Sequence, residues 1–253
     1  MCRFVASVSN STRSQHGVLR DAPKSLRALA PEHADGWGIA AYQSAQGWEL
    51  YKGVQAAHVD PRYTQLTGCI QGSTIIGHIR QKTVGETSTE NTHPFESDGW
   101  VFAHNGTVSA LAWLLARCCP LRRSQVRGST DSELLFQAIL GTWASAGLLD
   151  VPSDARDATL ARACGEWRGI GGFGSFNFIL SDGQTSYVHR RGRSLYCARD
   201  ENEVLFASEA SDDGHAWEEV PDGTLWKVSR HEERLLLRSV GEIPPSSNFS
   251  LEG

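Results

Sequence analysis

The feature that most limits the fold is a change of character at the glycine-rich stretch 169–174. Before it lie three stretches with helical signals: residues 108–118, with apolar positions at helical spacing, 130–146 and 154–168. Thr130 with Glu133 predicts a capping box at the start of the second. After it come short runs at 175–180, 186–189, 194–198, 203–207, 225–229 and 234–240, separated by turn residues as in an antiparallel sheet. The first hundred residues are also strand-like. Residues 2–9 alternate and lead into a polar loop at 10–15, and 35–42 and 47–51 predict a hairpin turning at 44–46. Residues 74–79 form a β-branched strand, and 100–104 a short strand running into the turn dipeptide Asn105-Gly106. Strands, then helices, then strands, without regular βαβ alternation, predict an α+β fold of antiparallel sheets packed with helices.

Neither an internal repeat nor a linker of biased composition divides the chain, so one domain is expected over 2–242. The Pro/Ser-rich residues 243–253 are expected to be a loosely held tail. Lys and Arg number 24 against 29 Asp and Glu, a net charge of -5, with no long basic run. That balance argues against a phosphate-tracking nucleic-acid binder. The longest near-apolar run, 108–116, already contains Ser109 and falls well short of the roughly 20 residues that span a bilayer. Met1-Cys2-Arg3-Phe4 lacks the apolar stretch of a signal peptide, so a cytoplasmic location and no membrane partner are expected.

Several patterns have plain structural explanations. Residues 169–174 satisfy G-x-G-x-x-G, but a helix precedes them and a strand follows, the reverse of a dinucleotide fingerprint. They read as a helix-to-strand connection, and no cofactor is expected. The six cysteines contain no C-x-x-C pair, and a chain of this length builds a core without disulfides. His78, His93 and His104 lie close in sequence, but no H-E-x-x-H pair accompanies them. Structural or hydrogen-bonding roles are favoured over metal binding. Arg122-Arg123 and Arg190-Arg191-Gly192-Arg193 read as solvated turns.

Cys2 differs, because removal of Met1 leaves a free α-amine on the residue that carries a thiol. The α-amine has a reference pKa of about 7.7, so roughly one sixth is neutral at pH 7, against a few lysines per ten thousand. It can therefore act as a general base for the adjacent thiol, directly or through water. Taken alone, a cysteine at position 2 is more simply incidental.

Its companions alter that balance. Cys2-Arg3, Asp35-Gly36-Trp37-Gly38, the stretch 77–83 (Gly-His-Ile-Arg-Gln-Lys-Thr), Asn91-Thr92-His93-Pro94-Phe95, Phe102-Ala103-His104-Asn105-Gly106 and the stretch 128–133 (Gly-Ser-Thr-Asp-Ser-Glu) occur in order. Together they resemble the class II glutamine amidotransferases, N-terminal-nucleophile hydrolases that split the glutamine amide. Ala207-Ser208-Glu209 and Val220-Pro221-Asp222-Gly223 extend the likeness toward the compact stand-alone branch. The resemblance implies a four-layer αββα sandwich. It implies Cys2 as the nucleophile forming a γ-glutamyl thioester, and the Asn105 side chain with the Gly106 backbone N–H as the oxyanion hole. It also implies Arg80 on the substrate α-carboxylate, Asp131 on the α-ammonium, and His93 lining the glutamine pocket. No metal is implied.

Lys82 and Thr92 depart from the residues usual at those family positions, and both are expected at the pocket rim. No acceptor domain is recognisable. Two versions of the activity therefore stand open: a hydrolase trimming small γ-glutamyl compounds, as in ergothioneine biosynthesis or glutathione breakdown, or a glutaminase subunit delivering ammonia to a separate synthase partner. A non-catalytic binding protein that retains the fold is the third alternative.

Overall fold

The computed structural model describes residues 2–231 and 234–241, so the expected tail at 243–253 lies outside the described residues. One seven-stranded antiparallel sheet holds β1 (Arg3–Ser14), β2 (Trp37–Gln43), β3 (Gly47–Gly53) and β4 (Gln71–Ile79). The facing six-stranded sheet holds β5 (Phe95–Ser97), β6 (Trp100–Val108), β7 (Gly174–Ser181) and β8 (Thr185–His189). β9 (Tyr196–Arg199), β10 (Glu203–Ala207) and β11 (Glu218–Glu219) return to the first sheet, whose order is β11-β9-β10-β1-β4-β2-β3. β12 (Leu225–His231) and β13 (Arg234–Ser239) complete the second, in the order β13-β12-β8-β7-β6-β5.

Strand alternation sorts the core into layers. On β1, Phe4, Ala6 and Val8 meet Ile76, Ala103, Ile179 and Phe206 between the sheets, while Val5 faces the other way. That outer face is covered by α1 (Leu26–Leu29) and α2 (Pro61–Thr67), whose Leu26 and Tyr63 pack with Trp37 and Ile75. The second sheet is covered by α3 (Leu111–Arg117), α4 (Pro120–Ser124), α5 (Asp131–Ser145) and α6 (Asp154–Gly169). Phe136, Ile139 and Trp143 of α5 pack with Phe102 and Phe178 there. Helices, sheet, sheet, helices: this is the expected αββα sandwich.

Local departures have physical causes. β1 continues through the polar residues expected as a loop, because Arg13 and Ser14 pair with Gly72 and Gln71 beyond an irregularity after Val8. Ladder hydrogen bonds are indifferent to side-chain polarity. Asn105 and Gly106 form no turn but sit inside β6, opposite Asn177 and Phe176 of β7. The strand uses up Val108, so α3 starts only at Leu111. At α5, Thr130 Oγ accepts from the Glu133 N–H at 3.2 Å, as a cap should. The Glu133 carboxylate, however, takes the N–H groups of Arg127 and Gly128, at 2.9 and 2.7 Å. The glycine-rich stretch does connect helix to strand. Gly174 there has φ 109°, and an added Cβ would lie 2.0 Å from the Thr107 carbonyl oxygen.

Candidate active site

Cys2 stands just ahead of β1 and shares the inward parity of Phe4 and Ala6. It is half-buried, and its Sγ lies 3.5 Å from the Gln81 carbonyl oxygen. Arg3 pairs with Ile79, so continuing the register sets Cys2 opposite Arg80 at the end of β4. Burial pushes the Cys2 thiol up; a backbone hydrogen bond at Gln81 and the Arg80 charge pull it down, and Asp131 pushes it up again. Arg80 and Asp131 are thus electrostatic neighbours of the thiol.

Arg80 is only 2% exposed. Its guanidinium donates to the carbonyls of Val84 and Glu86, both at 2.9 Å, and of Gly85 at 3.3 Å. Asp35 holds the same loop through the Lys82 N–H at 2.9 Å. Asn91 bonds the Glu86 carbonyl at 3.0 Å and the Ser129 N–H at 2.8 Å. Of the two family departures, Lys82 is exposed, whereas Thr92 is fully buried with its hydroxyl donating to the Ser88 carbonyl at 2.7 Å. Thr92 therefore anchors the loop from inside, rather than lying on a rim.

Asn105 points between the sheets, and its Nδ2 donates to Ser208 Oγ at 3.3 Å. Ser208 Oγ also accepts the Phe4 N–H at 3.0 Å, so one hydroxyl joins the strand that follows Cys2 to Asn105. A primary amide has a second N–H, which this bond does not use. Gly106 follows from parity. The Phe176 N–H is taken by Arg191, the His104 carbonyl by His78, and the Val108 N–H by Asp131. In an antiparallel ladder these fix Gly106, opposite Phe176, as a pair whose polar groups point away from each other. The Gly106 N–H therefore faces the side of β6 away from β7, beyond the end of the short β5. A side chain is impossible there, since a Cβ would sit 2.0 Å from the Ser175 carbonyl oxygen.

Asp131 opens α5, and its carboxylate accepts the Val108 N–H at 2.6 Å. It also lines a cavity of about 330 Å³ with Leu111, Leu115, Val126 and Leu134. His93 is 3% exposed, and neither ring nitrogen has a hydrogen-bond partner among the described residues. Its ring lies 4.2 Å from that of His78 and 4.5 Å from Phe95. Ser208 carried no role in the sequence reading, although it falls in a family motif. Its separation from Asn105 in the chain hides the bond.

The sequence profile of the class II glutamine amidotransferases matches residues 1–202. The chain belongs to this family. A Haemophilus influenzae protein, assigned provisionally by name to the glutamine amidotransferases, is 32% identical over 62% of this chain and 52% of its own length. The chain spans about half the length of this and similar relatives. The gamma-glutamyl-hercynylcysteine sulfoxide hydrolase of Mycolicibacterium smegmatis is 24% identical, covering 90% of this chain and 96% of its own. A solved structure of a glutamine aminotransferase class-II domain protein from Silicibacter pomeroyi shares the fold. Its TM-score is 0.66 at 21% identity, over 96% of this chain and 100% of the other. Among the described residues no helix is long and apolar enough to cross a membrane.

The buried histidines give the fold a measurable pH dependence. Burial pushes His78 and His189 down to about 3 and lowers His93 and His104 as well. The unfolded chain takes up these protons near pH 6.5, whereas the folded chain does not. Stability is therefore lost as pH falls below about 6.5, at about 1.4 kcal/mol per pH unit for each of His78 and His189, with His93 and His104 acting in the same direction. Denaturant midpoints measured from pH 7.5 to 4.5 should drop steadily below 6.5. A flat profile would mean that these rings are protonated in the fold.

Proposed function

We propose that the chain is an N-terminal-cysteine amidohydrolase that cleaves the side-chain amide of glutamine or of a γ-glutamyl amide. The observation that carries this reading is the meeting of Cys2, Arg80 and Asn105 across three strands: Cys2 opposite Arg80 in register, and the Cys2 strand tied through Ser208 to Asn105. Removal of Met1 frees the α-amine that acts as base, which a buried thiol with a raised pKa requires. Sγ adds to the amide carbonyl carbon, and its proton passes by way of the amine to the departing nitrogen. The C–N bond breaks, leaving a γ-glutamyl thioester, and water then attacks the same carbon to release glutamate and restore the thiol. Asn105 Nδ2 and the Gly106 N–H stabilise the oxyanion in both steps.

Arg80 holds the α-carboxylate, which replaces one or more of the loop carbonyls as its acceptor. Asp131 holds the α-ammonium, and His93 supports the pocket from the interior. The hydrolase from Mycolicibacterium smegmatis, matched over nearly its whole length, favours stand-alone hydrolysis of a small γ-glutamyl compound over ammonia delivery to a synthase.

The electrophilic glutamine analogue 6-diazo-5-oxo-norleucine tests this reading on the processed protein. One label is expected, on Cys2, with Cys69 and Cys119, the exposed thiols, left unmodified. Equal labelling of Cys69 or Cys119 would remove Cys2 from the role of activated nucleophile.

A further inference from the structure

Arg193, which the sequence presents as part of a solvated basic turn, has a different setting. Asn105 and Thr107 of β6 pair with Asn177 and Ser175 of β7, and all four side chains share the face turned toward the other sheet. Ser175 Oγ accepts the Thr107 N–H at 3.3 Å and the Arg193 Nε–H at 3.2 Å. The terminal nitrogens of Arg193 have no hydrogen-bond or ion-pair partner among the described residues, although the residue is half-buried.

The backbone that carries it is fastened on several sides. Asn177 Nδ2 donates to the carbonyls of Arg193 and Ser194, both at 3.1 Å. Arg190 Nε donates to the Arg193 carbonyl at 2.8 Å, and Asp222 takes the Gly192 N–H at 2.7 Å. Ser194 Oγ donates to the carbonyl of Ser208, the residue that holds Asn105, at 2.8 Å. A guanidinium with open donors is thus preset one residue pair beyond the candidate oxyanion hole.

Its side of the cleft matters. In the first sheet β4, with Arg80, lies on one side of β1, and β10, leading to Ser208, on the other. Ser194 joins Arg193 to the Ser208 side. Cys2 therefore stands between Arg80 and Arg193. With the glutamyl part of a substrate held toward Arg80, the departing amine extends toward Arg193. A planar fork of this kind pairs best with a carboxylate.

We propose, building on the function given above, that Arg193 binds a carboxylate carried by the leaving amine. The preferred substrates are then γ-glutamyl amino acids or peptides rather than glutamine or simple γ-glutamyl alkylamides. The test compares γ-glutamylglycine with γ-glutamylethylamide, close in size but lacking the carboxylate. The processed protein should hydrolyse γ-glutamylglycine with a kcat/KM about tenfold or more higher, a gap expected of one charge-assisted pair. Arg193→Gln should close that gap, and Arg193→Lys should restore part of it.

Binding to the Cys2→Ala protein supplies a readout without turnover. γ-Glutamylglycine should raise its Tm more than the ethylamide does, and adding Arg193→Gln should equalise the two. Equal handling of both compounds by the wild-type chain, or an Arg193→Gln loss shared equally between them, would overturn the assignment while leaving the hydrolase reading intact. Turnover that survives in Cys2→Ala would instead defeat that reading. If no compound is hydrolysed, the Cys2→Ala binding comparison still decides for or against Arg193.

Discussion

Cys2→Ala, made in protein whose Met1 has been removed, is expected to lower hydrolysis of glutamine and of every γ-glutamyl amide by about 10⁴-fold or more. Loss of the nucleophile in a covalent mechanism removes the route itself, and what remains is binding and oxyanion stabilisation without a leaving-group step. The fold should be nearly unaffected. Cys2 is half-buried, and among the described residues its Sγ makes one hydrogen bond, at 3.5 Å to the Gln81 carbonyl. Removing such a group usually changes stability by about 1 kcal/mol or less. Turnover in a glutamate-release assay together with the Tm of the variant checks both halves. Activity within tenfold of wild type would show that the thiol does not attack.

The next largest effect belongs to Asn105→Ala, for which kcat should fall by about 10²- to 10³-fold with little change in KM. In the proposed role, the Asn105 amide acts on negative charge that exists only when the carbonyl carbon is tetrahedral, so ground-state binding would not depend on it. The substitution also deletes the donor to Ser208 Oγ, which keeps the Phe4 N–H at 3.0 Å. The stability loss should then be about 1 kcal/mol, as for one buried hydrogen bond. A rise in KM with kcat unchanged would instead place Asn105 among the substrate-binding groups. The other half of the hole resists the same test. Gly106→Ala puts a methyl 2.0 Å from the Ser175 carbonyl oxygen, and the strand pairing would yield before the donor could be judged.

Much of the architecture is legible in the chain because it rests on local period. The short run at 203–207 and the helical run beginning at Thr130 become β10 and α5 almost residue for residue. Asn105-Gly106 misleads because the dipeptide that commonly turns a hairpin is here held flat by β7, which no neighbouring residue announces. Residues 10–14 mislead for a related reason: their pairing with Gly72 and Gln71 is a long-range fact. The candidate site divides in the same way. Cys2, Arg80 and Asp131 can be picked out by the resemblance, but the tether from Ser208 to Asn105 and the placement of Arg193 by Asn177 arise only when the sheets stack. The capping box shows the limit on a small scale. Thr130 behaves as its type demands, while Glu133 is drawn away by two loop N–H groups.

The single hydroxyl of Ser208 has a consequence for synthesis in the cell. Phe4 is made early, yet the hydroxyl that links its strand to Asn105 is made some two hundred residues later. An unfinished chain therefore lacks this tie between β1 and β6 until β10 has been made and has paired with β1. The tie between the two sheets arrives late, with the closing of the sandwich.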